Sequence, residues 1–151
     1  MPMQIRLVAS DKRAFMPLLL LADEEERYID EYLGRGDLFA LYDDGLKAVC
    51  VVTDEGGGLF ELQNIAVDAS FHRRGYGRAL VRHIFAHYAD RRGRTMLVGT
   101  GDSPPHVSFY ESCGFVYSHR VKDYILERYG PIYEDGVQLR DKIYLTKELG
   151  D

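Results

Sequence analysis

Glu61-Leu-Gln-Asn-Ile-Ala-Val-Asp-Ala-Ser-Phe-His-Arg-Arg-Gly-Tyr-Gly-Arg-Ala79 is the stretch whose reading decides the fold. An apolar strand runs into a basic turn containing two glycines, and the turn opens a helix. Gly75 and Gly77 let the chain turn tightly and bring its amides close to a ligand, while the unpaired N–H groups of the first helical turn favour an anion. Arg73, Arg74 and Arg78 add positive charge at the same place. The segment is therefore expected to hold a phosphate-type group largely through its backbone.

Upstream, Leu59 to Val67 reads as the fourth strand of an antiparallel meander. Met3 to Val8 alternates apolar with polar and forms the first. Leu38 to Tyr42 and Leu46 to Thr53 are joined through Asp44-Gly45, a strong hairpin signal, and Glu55 to Gly58 supply the next turn. Between the first two strands, Ser10 can cap a helix through Phe15, Leu18 and Leu19, with Pro17 kinking or dividing it. Asp23 can cap a second helix, in which Tyr28, Ile29, Tyr32 and Leu33 form one stripe before Gly34 and Gly36 end it.

Downstream of Gly75, Leu80, Val81, Ile84, Phe85 and Tyr88 recur at helical spacing as far as Gly93. Thr95 to Gly99 is a fifth strand, and a helical crossover of this length makes strands four and five parallel neighbours. Ser103-Pro104 opens a short helix to Cys113, Phe115 to Arg120 is strand six, and Lys142 to Thr146 is strand seven. The roughly twenty residues between the last two strands are long for a loop and call for a short helix, favoured by Val121, Tyr124, Ile125 and Arg128, or a functional flap.

The 151 residues are expected to form one domain, 1–151, and a composition 46% hydrophobic and 28% charged belongs to a folded protein. The longest apolar run, Ala14 to Ala22, is broken by Pro17 and is too short to cross a bilayer. The beginning of the chain lacks the pattern of a secretory signal, so a cytoplasmic location is expected. A net charge of −5 argues against nucleic acid or an acidic membrane as partner. Cys50 and Cys113 are expected to stay reduced, and Cys113 reads better as a structural thiol than as a nucleophile. His83 and His87 lie one helical turn apart, but with no third ligand in view they read as solvated helix histidines, and no metal is expected.

The element order, with Phe71-His-Arg-Arg-Gly-Tyr-Gly-Arg-Ala-Leu80 and Ser108-Phe-Tyr-Glu-Ser-Cys-Gly-Phe115, resembles the GNAT superfamily of acetyl-CoA-dependent N-acetyltransferases over nearly the whole chain. The superfamily signature is Gln or Arg, two residues, Gly, one residue, then Gly or Ala. Here His72, Gly75 and Gly77 take those places, and His72 departs from the usual residue. A dinucleotide fold fits less well, because Leu80 replaces the third glycine and the turn follows a meander. The resemblance implies an α/β (α+β) fold: a mixed, mostly antiparallel seven-stranded sheet, a parallel splay between strands four and five, and helices on both faces.

It also implies acetyl-CoA as cosubstrate. The pantetheine arm would pair with backbone near Ile65, Ala66 and Val67, where an N–H group can serve the oxyanion. The diphosphate would sit on the turn formed by His72, Arg73, Arg74, Gly75, Tyr76 and Gly77, continued by Arg78 and Ala79. Ser103 stands where many relatives carry a coenzyme-contacting Asn, and it can equally cap its helix.

For the chemistry, a lysine-like amine has a pKa of about 10.4 and must lose a proton before it attacks. Glu61 is the candidate base: it lies within a core strand, where an acid is costly unless paired or used, eleven residues before His72 as in the histone-acetyltransferase branch. The alternative is a wet or ion-paired glutamate. Gln63, on the same strand face, can hold a water or the acceptor. The resemblance places the Tyr110 hydroxyl near the coenzyme sulfur, able to protonate the departing thiolate.

The second helix and the long segment before strand seven flank the acceptor entrance in this family. Here they carry acids and tyrosines: Glu24, Glu25, Glu26, Tyr28, Asp30 and Tyr32 on one side, and Tyr124, Tyr129, Tyr133, Glu134 and Asp135 on the other. Such a mouth, with Tyr28 and Tyr32 as contacts, suits a cationic small-molecule or peptide amine, although an ordinary solvated face reads equally well. A homodimer through the last strands, a non-catalytic acyl-CoA sensor and an interaction module stay open as alternatives.

Overall fold

The computed structural model describes residues 3–150. Its elements run β1 (Gln4–Val8), α1 (Met16–Ala22), α2 (Glu26–Leu33), β2 (Asp37–Tyr42), β3 (Leu46–Gly56) and β4 (Leu59–Val67). They continue with α3 (Tyr76–Ala89), β5 (Thr95–Gly101), α4 (Pro104–Ser112), β6 (Val116–Val121), α5 (Tyr124–Tyr129), β7 (Ile132–Glu134), β8 (Val137–Leu139) and β9 (Lys142–Glu148). Seven strands form one sheet in the order β1-β2-β3-β4-β5-β9-β6, and β7 and β8 form a separate ribbon. Only β4 and β5 pair in parallel, as a strand–helix–strand crossover requires.

Strict alternation along β2 and β3 sends successive side chains to opposite faces, and helices cover both. Phe39, Cys50 and Val52 meet Leu80, Val81 and Ile84 of α3 on one face. Leu38, Val49 and Val51 meet Leu19 of α1 and Ile29 and Leu33 of α2 on the other. His83 and His87, expected to be solvated, instead lay their rings against Phe39 at 5.5 and 4.9 Å, and burial lowers the pKa of both.

The pairing of β4 has one irregularity that matters for everything near it. Val51 pairs with Asn64 and Val52 with Leu62, so Gln63 is an extra residue that β3 does not match. A bulge of this kind breaks the period of two. Leu62 belongs to the core beneath α3, whereas Asn64, two residues on, donates from Nδ2 to Leu19 O at 3.0 Å and to Tyr32 Oη at 2.9 Å on the opposite face. The parallel ladder with β5 stops at the same point, running from Leu59–Thr95 to Leu62–Val98.

Pro17 divides the first helical region into a 3-10 turn, Lys12–Phe15, and α1, because a residue without an N–H fits a first turn. The second helix begins at Glu26 rather than beside Asp23, whose carboxylate is drawn into tertiary bonds and only weakly accepts from Glu25 N, at 3.4 Å. The long segment before the last strand holds both a helix, α5, and the β7–β8 hairpin. That hairpin turns at Asp135 and Gly136, with φ of 51° and 80°, the left-handed pair of a two-residue turn.

Leu80 is fully buried at the centre of the α3-side core. Leu80→Ala is expected to cost about 2–5 kcal/mol of unfolding free energy in urea titrations, whereas Leu21→Ala, at an exposed site, stays within about 0.5 kcal/mol.

Candidate active site

Beyond Leu62 and Val98, β4 keeps to β3 while β5 pairs onward with β9 through Gly99, Thr100 and Gly101. The gap is the floor of a cleft of about 1130 Å³. One end meets the start of α3, and the other lies between the α1–α2 corner and α5. Asp68 N donates to Lys47 O on β3 at 2.8 Å, so by alternation Ile65 and Val67 turn their backbone polar groups to the gap. There Val67 O accepts from His72 Nε2 at 3.1 Å, which pins the turn to the strand.

At the α3 end, Gly75 has φ of 83°, which a side chain would strain. The first intrahelical bond is donated by Ala79 N to Gly75 O at 2.9 Å. The amides of Tyr76, Gly77 and Arg78 have no acceptor among the described residues and stand at the helix mouth. A Cβ on Gly77 would lie 3.2 Å from Phe109 Cζ, so glycine is what lets α3 start this close to α4.

The flanking residues divide. His72, Arg73, Tyr76 and Arg78 line the cleft with the two glycines. Arg78 is bound to Ser112 O and Oγ at 2.9 Å each, and the Tyr76 hydroxyl donates to Asp43 Oδ2 at 2.7 Å, so Tyr76 offers the cleft mainly its backbone. Arg74 lies over the Phe71 ring at 5.2 Å and, like Ala79, is not on the cleft wall. Ser103 precedes α4 without a side-chain capping bond, is buried and does not reach the cleft.

Where the strands part, Glu61 is half-buried and has no hydrogen-bond or ion-pair partner among the described residues. Burial raises its pKa above the ordinary carboxylate value, the nearby Lys142 charge opposes this, and Glu55 reinforces it. Gln63 Nε2 donates to Thr53 Oγ1 at 3.1 Å, Thr53 donates to Glu55 Oε2 at 2.6 Å, and Arg35 binds the same carboxylate at 2.9 Å. Tyr110 enters the same cleft from α4, its ring edge-on to Phe109 and Phe115. Burial raises its pKa well above that of a free phenol, so the hydroxyl is protonated at neutral pH.

At the acceptor end only part of the acid and tyrosine set expected from the sequence reaches the cleft. Glu26 and Asp30 face away and pair with Arg13, and Tyr133 is exposed outside the cleft. Tyr28 lies under Arg128, 3.7 Å from guanidinium to ring centre, and donates to Arg128 O at 2.9 Å. Tyr32 is almost fully buried, its hydroxyl held between Asn64 and Asp23. Tyr129 donates to Asp23 Oδ1 at 3.1 Å, and Arg128 binds Glu31 at 2.7 Å, so α5 is tied across to α1 and α2. Arg35, Arg128 and Lys142 line this mouth together with Asp23, Glu24, Glu31, Glu55, Glu61 and Glu134, so the acids still outnumber the cations there.

The profile of the acetyltransferase (GNAT) domain family matches residues 34–117. The uncharacterized N-acetyltransferase YvbK of Bacillus subtilis (strain 168) is 36% identical over 135 residues, 87% of each chain. A Bacillus subtilis acetyltransferase solved in complex with CoA superposes with a TM-score of 0.91 at 33% identity, over 98% of this chain and 99% of that one. A GNAT family acetyltransferase from Elizabethkingia anophelis with acetyl-CoA bound also gives 0.91, at 29% identity and with 97% and 98% covered.

The chain belongs to the GNAT family and is an acetyl-CoA-dependent N-acetyltransferase. The site fits that cosubstrate: outward amides at the α3 mouth suit a diphosphate, and the open backbone edge of β4 suits an arm containing amides. No helix among the described residues is long and apolar enough to cross a membrane.

The raised pKa of Glu61 has a consequence for stability. Burial favours its protonated form, so its contribution to stability is fully present below the unfolded-state value of about 4.3 and is lost as pH rises through the folded-state pKa. Glu61→Gln is expected to raise the thermal midpoint at pH 7 relative to the parent, with the gain vanishing near pH 4. An unchanged difference across that range would show that Glu61 is not destabilised by burial.

Proposed function

We propose that the protein transfers acetyl from acetyl-CoA directly to a primary amine within a ternary complex, with Glu61 as the base and Tyr110 as the acid. The observation that carries this reading is Glu61, an acid left without a partner and with a raised pKa in the gap that would receive the thioester. A raised carboxylate pKa brings the base closer to neutral pH, where it accepts a proton and still exists ionised.

The amine nitrogen attacks the carbonyl carbon, and its proton passes to Glu61 directly or through a water held near Gln63. The tetrahedral oxygen is stabilised by a backbone N–H at Ile65 or Val67. The carbon–sulfur bond then breaks, and Tyr110 donates to the sulfur as it leaves. Amides of Tyr76, Gly77 and Arg78 hold the diphosphate, and the His72 bond to Val67 O fixes them relative to β4. Positioning supplies much of the rate, since well-oriented reactants gain on the order of 7–11 kcal/mol over free encounter.

Tyr110→Phe is expected to lower kcat by about 10²-fold with little change in the acetyl-CoA dissociation constant, measured by thiol release and calorimetry. Unchanged turnover would remove Tyr110 as the acid. In the parent, kcat/KM should fall on the acid side as Glu61 takes up its proton, at a pH above the usual carboxylate range. Glu61→Gln should abolish that limb; a profile that keeps it would assign the base to another group.

A further inference from the structure

Lys142 differs from the other two cations at the acceptor end of the cleft, Arg35 and Arg128. Arg128 is neutralised by Glu31 at 2.7 Å and Arg35 by Glu55 at 2.9 Å. Lys142 Nζ has neither a hydrogen-bond nor an ion-pair partner among the described residues, and it is not sealed from solvent. Two rings hold it, with Nζ 4.6 Å from the centroid of Tyr124 and 5.0 Å from that of Tyr144. Such contacts orient an ammonium without cancelling its charge. Its stem crosses residue 99, where a Cβ would collide with Lys142 Cε and lie 2.8 Å from Tyr144 Cε1, so the position exists because Gly99 has no side chain.

The register places this charge on the same side of the sheet as Glu61. Glu61 pairs with Leu97, Gly99 with Tyr144 and Gly101 with Lys142. Met96 and Val98 point into the α3-side core, so Leu97, Gly99 and Gly101 lie on the other side of the sheet, where Gly99 and Gly101 and their partners Tyr144 and Lys142 line the cleft. One strand over and two residues along puts Glu61 and Gly99 roughly 8 Å apart at Cα. A free carboxylate and a free ammonium therefore share one small space, with tyrosine rings around the cation.

An acceptor with only an amine would fill this space and leave Lys142 stripped of water and unpaired, which is costly for a charge. An acceptor carrying a carboxylate beside its amine would satisfy both ends. Resting on the amine-acetyltransferase reading above, we propose that Lys142 anchors a carboxylate of the acceptor, so that the acceptor class is amino acids and related amino-carboxylates rather than polyamines.

The test compares acceptors that differ only in the carboxylate: phenylalanine with phenethylamine, and tyrosine with tyramine, followed by CoA thiol release. The parent enzyme should favour the acid of each pair by at least about tenfold in kcat/KM, the size of one charge-assisted contact. Lys142→Met should collapse that ratio, Lys142→Arg should keep it, and Lys142→Glu should invert it. Lys142→Gln serves in place of Lys142→Met if the latter does not fold, and calorimetric binding of phenylalanine to the CoA complex gives a second readout. Thiol release from the plain amines with no preference for the acids, or a preference that survives Lys142→Met, would overturn this inference and leave amine acetylation intact. No release from any member of either pair would overturn this inference, and no release from spermidine or a lysine peptide as well would overturn amine acetylation with it.

Discussion

One unmatched residue, Gln63, governs the architecture of the site. A strand buried in a sheet ordinarily satisfies its backbone on both edges, and β4 does so only as far as Leu62. The ladder to β5 ends beside the bulge, and the next residues leave polar backbone facing open space. Such an edge calls for water or a ligand strand, and the start of α3 lies at its far end. The open backbone edge and the floor of the cleft thus lie at the same local departure from regular pairing.

The bulge also decides which chemistry reaches the cleft. By restarting the alternation it brings Asn64 to the face of Glu61 and Gln63, where it ties β4 to α1 and α2 through Leu19 and Tyr32. Around it the charges are arranged unevenly. Arg35 is bonded to Glu55 and Arg128 to Glu31, while Glu61 and Lys142 are held apart and influence each other only through space. Paired charges at exposed positions contribute little to stability, so these networks are better understood as walls that leave two groups available.

Much of this was legible in the chain and some was not. The meander, the Asp44-Gly45 hairpin, the helix after Gly75 and the crossover to β5 follow from periodicity and turn chemistry, which act locally. The splay between β4 and β5 and the helices on both faces came with the family resemblance, whereas the place of β9 between β5 and β6 is visible only in the folded chain. The β7–β8 ribbon had a signal, Asp135-Gly136, that sequence reading passed over because its strands are only three residues each. The bulge had none, since nothing in Leu62-Gln63-Asn64 marks an extra residue until β3 is set against it. Lys142 and Arg128 were unreadable as cleft residues for a related reason: Arg128 meets Glu31 and Tyr28 across about a hundred positions of sequence, and only the folded chain brings them together. Nor does the sequence show that Glu26 and Asp30 turn from the mouth to Arg13, which lies more than ten residues away in the chain.

The contact between Gly99 and Lys142 links two strands into one determinant. Any side chain on β5 at that place would displace the ammonium on β9, whatever the newcomer's own character. Losing a hydrogen atom's worth of vacancy at one position and losing a charge at the other would therefore have the same outcome for the cleft.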